Sequence, residues 1–107
     1  MEVPDDALRV DVHHEGASAR LVVRGEIDIA TAPRFAAAFE RALEGAPERI
    51  VIDCSGLTFL DSSGIQVLVA AWDQMKDRAG MPVVLREVSP VIQQVLVACG
   101  IRDLLME

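Results

Sequence analysis

The stretch TFLDSSGIQ, residues 58–66, joins two unlike patterns. Before it, Arg49-Ile50-Val51-Ile52-Asp53 is short, apolar and β-branched, the profile of a central strand. After it, Ile65, Leu68, Val69, Trp72 and Met75 recur at helical spacing. Asp73, Gln74, Lys76, Asp77 and Arg78 fall mostly on the other side, and Gly80 marks the stop. A strand runs in and a helix runs out. At the join sit one carboxylate, two hydroxyls and a glycine: Asp61, Ser62, Ser63 and Gly64.

Upstream of the join, Leu8, Val10 and Val12 alternate with Arg9, Asp11 and His13, which predicts a half-buried strand. Residues 15–18 (EGAS) form a turn. Leu21 and Val23 alternate with Arg20 and Arg24, giving a second strand in a hairpin with the first. Gly25-Glu26-Ile27-Asp28 leaves that strand. Thr31 then offers an N-cap, with Pro33 in the first turn of a helix whose stripe is Phe35, Ala38, Phe39 and Ala42. Gly45 and Pro47 end it. Downstream of the join, Pro82-Val83-Val84-Leu85 reads as a strand. Ser89-Pro90 opens a last helix with the stripe Ile92, Val95, Leu96 and Cys99, closed by Gly100, and Leu104-Leu105 forms a short apolar tail.

The order is therefore β-β-α-β-α-β-α. Strand–helix–strand repeats of this length demand parallel strands with right-handed crossovers, so only the first strand need be antiparallel. The expected fold is α/β: a single domain over residues 1–107, with a mixed, mostly parallel four-stranded sheet. Alternation in the first two strands leaves one sheet face less well covered, with the helices mainly on the other.

The chain has 107 residues, of which 51% are hydrophobic and 25% charged, a globular composition. A formal net charge of -7 argues against nucleic acid or an anionic membrane as the main partner. MEVPDDALRV (1–10) has neither the basic nor the apolar region of a secretory signal. No apolar run approaches the ~20 residues of a membrane span. Cys54 and Cys99 form no CxxC pair and read as buried thiols in a reducing cytoplasm. Trp72 and the three phenylalanines read as core, so nothing points to a small-molecule site or a cofactor.

At the join, Asp and Ser are good N-caps, and capping alone could account for them. Yet one cap would suffice where three polar residues stand. Gly64 costs about 1 kcal/mol in a helix relative to Ala, and its missing side chain would let something approach the backbone. The join also lies past the C-terminal end of a central strand, where open α/β sheets place their sites, and a helix N-terminus favours an anion. A phosphate on a serine would find a receptive place there. A catalytic serine would need a base within reach. The G-x-S-x-G elbow is absent, and the only histidines, His13 and His14, read as solvated residues near a turn. No metal-ligand spacing occurs, and no basic residue flanks Cys54 to activate it. The expectation is a protein that is not an enzyme.

LTFLDSSGI (57–65), preceded by IVID (50–53), resembles the core motif of the STAS domain, and more narrowly that of bacterial anti-sigma factor antagonists. GEID (25–28), TAPRF (31–35), Gly80, VVL (83–85), SP (89–90) and CGI (99–101) fit the same pattern, so the resemblance spans about residues 8–102. It implies a partner switch. Unphosphorylated, such proteins bind an anti-sigma factor that is also a serine kinase, and the sigma factor is freed to regulate transcription. The kinase phosphorylates the first serine after the motif aspartate, here Ser62, and a PP2C-type phosphatase resets it. Carried over by position, Asp61, Ser63 and Gly64 shape the loop, and Glu26 and Asp28 lie on the neighbouring part of the docking surface. Ser63 has the alternative of helping to cap the helix. An alternative within the fold is a docking subunit of a lipid-transporting ABC system, not phosphorylated. Family members commonly continue with another strand and helix, whereas this chain stops at residues 102–107, which would leave apolar surface available for a homodimer.

Overall fold

A computed structural model describes residues 7–75 and 82–101 of the protein. Seven elements follow the expected order: β1 (Leu8–Glu15), β2 (Ser18–Ile27), α1 (Ala32–Leu43), β3 (Arg49–Leu60), α2 (Ser62–Met75), β4 (Val83–Arg86) and α3 (Pro90–Ala98). The sheet order is β1-β2-β3-β4, so β3 is flanked on both sides. β1 pairs antiparallel with β2, and the β2–β3 and β3–β4 pairs are parallel. The hairpin closes through Gly16 and Ala17, with Gly16 at φ +61, the hand that two-residue hairpin turns demand.

One face of the sheet carries the core. Leu8, Ala19, Leu21, Val23, Ile50, Ile52, Cys54, Val83 and Leu85 are buried there against the helices. From α1 come Phe35, Ala38, Phe39 and Ala42, the predicted stripe, with the Phe35 and Phe39 rings edge to face at 5.0 Å. The opposite face carries Arg9, Asp11, Arg20 and Arg24 on β1 and β2. Val51 and Val84 pair side by side there and are also buried, so that face is not uniformly polar.

Both strands that lead to helices run further than their patterns suggest. β2 includes Gly25, Glu26 and Ile27, and β3 continues from Asp53 to Leu60. The register explains this. Val22 pairs with Asp53 but Arg24 with Gly56, and Gly25 pairs with Leu57 but Glu26 with Phe59. β3 therefore holds two extra residues, and each such bulge breaks the period of two that a strand shows in sequence.

Four side chains depart from expectation. Val69 is 44% exposed, and α2 instead buries Gly64, Ile65, Leu68, Ala71 and Met75, with Trp72 half-buried. Phe59 is 45% exposed, because the second bulge turns it out of the core. Cys99 is exposed as well. α3 ends one residue before it in a Schellman motif: Gly100 N–H donates to Val97 O at 3.0 Å and Ile101 N–H to Leu96 O at 3.1 Å, with Gly100 at φ +72. Ile101, not Cys99, enters the core. Thr31 stands at the N-cap of α1 but makes no capping bond with its side chain. Ser89 does cap α3, accepting from Ile92 N–H at 3.4 Å. The expectations for residues 76–78, for Gly80 and for Leu104-Leu105 lie outside the described residues.

Gly64 sets how α2 meets the sheet. Its α-carbon rests on the side chains at the ends of the two parallel strands. A Cβ added there would overlap Leu60 Cδ1 and stand 2.7 Å from Ile27 Cγ2. The missing side chain is thus filled from within, not left open to an incoming ligand.

Gly64→Ala separates these two readings by sign. At an exposed helical site alanine would stabilise by about 1 kcal/mol. Here the overlap with Leu60 and Ile27 should lower stability by about 1–3 kcal/mol, read as an earlier urea midpoint. The cysteines supply a second expectation. Burial pushes the Cys54 thiol up to about 12, with the Asp53 charge adding to it. In the unfolded chain this thiol ionises near pH 8.5, so the stability it contributes is intact below that pH. It is then lost as pH rises towards about 12, by roughly 1.4 kcal/mol per unit. Urea midpoints across pH 8–11 should fall in the native sequence and less in Cys54→Val. A thiol-exchange dye should titrate one cysteine in the folded protein and two in denaturant.

Candidate functional site

β2 and β3 end side by side, with Ile27 paired to Leu60, and the chain leaves each strand into a helix. Asp61 N–H donates to Ile27 O at 3.2 Å and ties the two exits together. Asp61 then starts α2. Its Oδ1 accepts from Ser63 N–H at 2.9 Å, and its carbonyl accepts from Gly64 and Ile65 N–H, each at 3.1 Å. A single residue thus satisfies the first-turn donors of positions 63, 64 and 65, which is the N-cap role.

That leaves the two serines. Ser63 is half-buried, and it takes part in the cap through its N–H, not its hydroxyl. Ser62 is exposed, and among the described residues its hydroxyl makes no hydrogen bond. Of the polar cluster, Asp61 holds the helix, Gly64 is packed from inside, and Ser62 presents a free hydroxyl to solvent.

The neighbouring loop is built around Thr31, which is only 2% exposed. Its hydroxyl donates to Glu26 O at 2.8 Å and accepts from Asp28 N–H at 2.9 Å. Asp28 Oδ1 accepts from the N–H groups of Ala30 and Thr31, both at 3.0 Å. The Asp28 carboxylate is therefore turned onto its own loop, whereas Glu26 is exposed at the end of β2 beside Phe59. Tightened in this way, the loop holds Ile29 outward, 81% exposed. Ile29 shares the rim of a groove with Ser62 and Ser63. Sequence reading passed over Ile29 and placed Phe59 in the core. An isoleucine in a loop carries no periodic signal, and a bulge is invisible to one.

Two arrangements are not brought together. His14 Nε2 donates to Ala42 O at 3.3 Å, the carbonyl being able only to accept. Ala42 lies ten residues along α1 from Ala32, so this ring is about 15 Å down the helix from the end where Ser62 sits. His13 pairs with Arg20, near the start of β2, at the opposite end of the strand from Ser62, so neither histidine is a base for Ser62. Cys54, buried with a raised pKa, is no nucleophile either. Among the described residues no helix is long and apolar enough to cross a membrane.

The chain matches the family model described as "Mlab, STAS domain" over residues 10–106. The anti-sigma-F factor antagonist RsfB of Mycobacterium tuberculosis is 31% identical over 86 residues, covering 80% of this chain and 70% of that protein. An anti-sigma factor antagonist from Mycobacterium paratuberculosis has a similar structure, with a TM-score of 0.81 at 27% identity, covering 99% of this chain and 89% of that one. An anti-sigma-factor antagonist (STAS) domain protein from Planctomyces limnophilus gives 0.75 at 27% identity, over 91% and 86%. With its order β-β-α-β-α-β-α and the DSSG turn at the β3–α2 join, the chain belongs to the STAS domain family and, within it, to the anti-sigma factor antagonists.

Proposed function

We propose that this protein is a phosphorylation-switched antagonist of an anti-sigma factor, acting in the cytoplasm as a binding module and not as an enzyme. Unphosphorylated, it docks on an anti-sigma factor with serine kinase activity, and the sigma factor is released to transcription. Ser62 is the phosphoacceptor, and a PP2C-type phosphatase restores the free hydroxyl. Asp61, Ser63 and Gly64 set the loop around it. Glu26 and Asp28 shape the adjoining rim, Glu26 by its exposed side chain and Asp28 by fixing the loop that displays Ile29. The observation that carries this reading is the free Ser62 hydroxyl at a strand–helix join whose structural needs Asp61 already meets.

The physics of such a switch is local. A phosphoserine adds about -1.5 to -2 charge and three acceptor oxygens. In the free protein it faces water, so the fold need not change. Against a partner it must shed that water beside the Asp61 carboxylate, and an uncompensated buried charge costs several kcal/mol. Each 1.4 kcal/mol is about tenfold in affinity, so one phosphate is enough to dismiss the partner.

Incubation with Mg-ATP and each ATP-binding anti-sigma factor of the same genome should add one phosphate by intact mass. Ser62→Ala should abolish the label and keep binding, Ser63→Ala should keep both, and Ser62→Asp should bind at least about tenfold more weakly. Labelling that survives Ser62→Ala and disappears in Ser63→Ala would overturn the assignment. Capture of an ABC ATPase or permease, with no anti-sigma factor bound, would favour the transport-docking alternative. Ile29→Ser should weaken docking at least about tenfold without altering thermal stability, since the side chain is already in water.

A further inference from the structure

Between α1 and α2 runs a groove of about 690 Å³, open along one side. It begins at Ile29, Ser62 and Ser63 and extends past Ala36 and Ala70 to Leu43 and Gln74. On α1 it spans residues 32–43, about 16 Å of helix or three turns. α1 and α2 each leave the C-terminal end of one of two neighbouring parallel strands, so they run in the same direction with both N-termini at the Ser62 end. Alanines at the middle of both walls leave room for a third backbone to come close.

Charge is sorted around this groove. Among the described residues Glu40 is the one charged residue lining it. The α1 arginines, Arg34 and Arg41, lie on the other flank of the helix and line a separate cleft with Leu8 and Val10 of β1. The far end of the groove carries Glu40 and lies beside the C-terminus of α1. At the Ser62 end the first-turn N–H groups of both helices are already held by Asp61 and Asp28.

We propose that this groove receives an amphipathic helix of the anti-sigma partner, with an apolar face of about three turns on Ala36 and Ala70 and a basic residue beside Glu40. The inference rests on the partner-switch reading above and names the shape and charge of what docks. A second copy of this chain, itself at net -7, fits a negative groove poorly. A trough open along its length does not enclose a small molecule as ligand pockets do.

The test measures affinity of full-length variants for the anti-sigma factor that binds the native chain, by calorimetry at low and high salt. Ala70 is exposed, so Ala70→Arg should fold with an unchanged melting temperature while filling the groove with bulk and positive charge, and binding should weaken at least about tenfold. Glu40→Lys should weaken binding more at low salt than at high salt. Gln94→Arg on α3, away from the groove, should bind as the native chain does. If Ser62→Asp loses binding while Ala70→Arg and Glu40→Lys keep it within about twofold, the groove is empty in the complex and only this proposal falls. If no anti-sigma factor binds, or if Ser62→Asp binds as tightly as the native chain, the partner-switch reading falls, and the groove assignment with it.

Discussion

The contact on which the rest depends is the seating of Gly64 on Ile27 and Leu60. Two parallel strands end there in register, and their last side chains push up under the first turn of α2. The helix can come this close only because position 64 has no side chain. The orientation of the whole turn follows. Successive residues of an α-helix are about 100° apart, so Ser62 points about 200° from Gly64. Fixing Gly64 inward therefore fixes Ser62 outward. The exposure of the hydroxyl is a consequence of core packing two residues away, and the same contact that stabilises the fold presents the site.

Asp61 adds an electrostatic condition. A bare helix N-terminus would welcome a phosphate, by about 0.3–1 kcal/mol at an exposed site. Here Asp61 already holds the N–H of Ser63 and, through its carbonyl, those of Gly64 and Ile65. Little of that attraction is left for a phosphate on Ser62, which also faces the Asp61 charge. Such a group stays in solvent and does not fold back onto the helix. On the proposed reading, the modified and unmodified proteins would then be alike in structure and different in surface, and the difference would act only when a partner covers it.

Much of the fold was legible because its signals are periodic. The α1 stripe and the alternation in β1 and β2 read correctly from spacing, and β–α alternation gave the parallel strands. What could not be read lies where periodicity fails. The two bulges hid the last seven residues of β3 and sent Phe59 outward. The Schellman ending of α3 exchanged Cys99 for Ile101. Val69 lies on the predicted stripe of α2 yet is exposed, because the helix packs on a face that also holds the small residues Gly64 and Ala71, and glycine carries no apolar signal of its own. At the site, Asp61 and Ser62 stood out as polar residues at a strand–helix join. Their division of labour did not, since either could have been the cap. Asp28 looked like a surface carboxylate until its bonds to Ala30 and Thr31 turned it inward.

Those bonds also bear on how the switch can work. Thr31 is buried and engaged by both Glu26 and Asp28, and the strand exits are tied by the bond from Asp61 to Ile27. A loop so constrained has no second arrangement in view that a phosphate could select, and a ligand shifts an equilibrium only between states it binds differently. Relay through this loop is therefore unnecessary to the proposed switch. On the proposed reading the discriminating free energy would arise in the complex itself, where desolvation of one dianion would outweigh what an apolar projection such as Ile29 gains by burial, about 1.5–3 kcal/mol for a side chain of this size. Rigidity is what makes that comparison decisive: a loop able to yield would let the partner slide past the charge and keep the apolar contact.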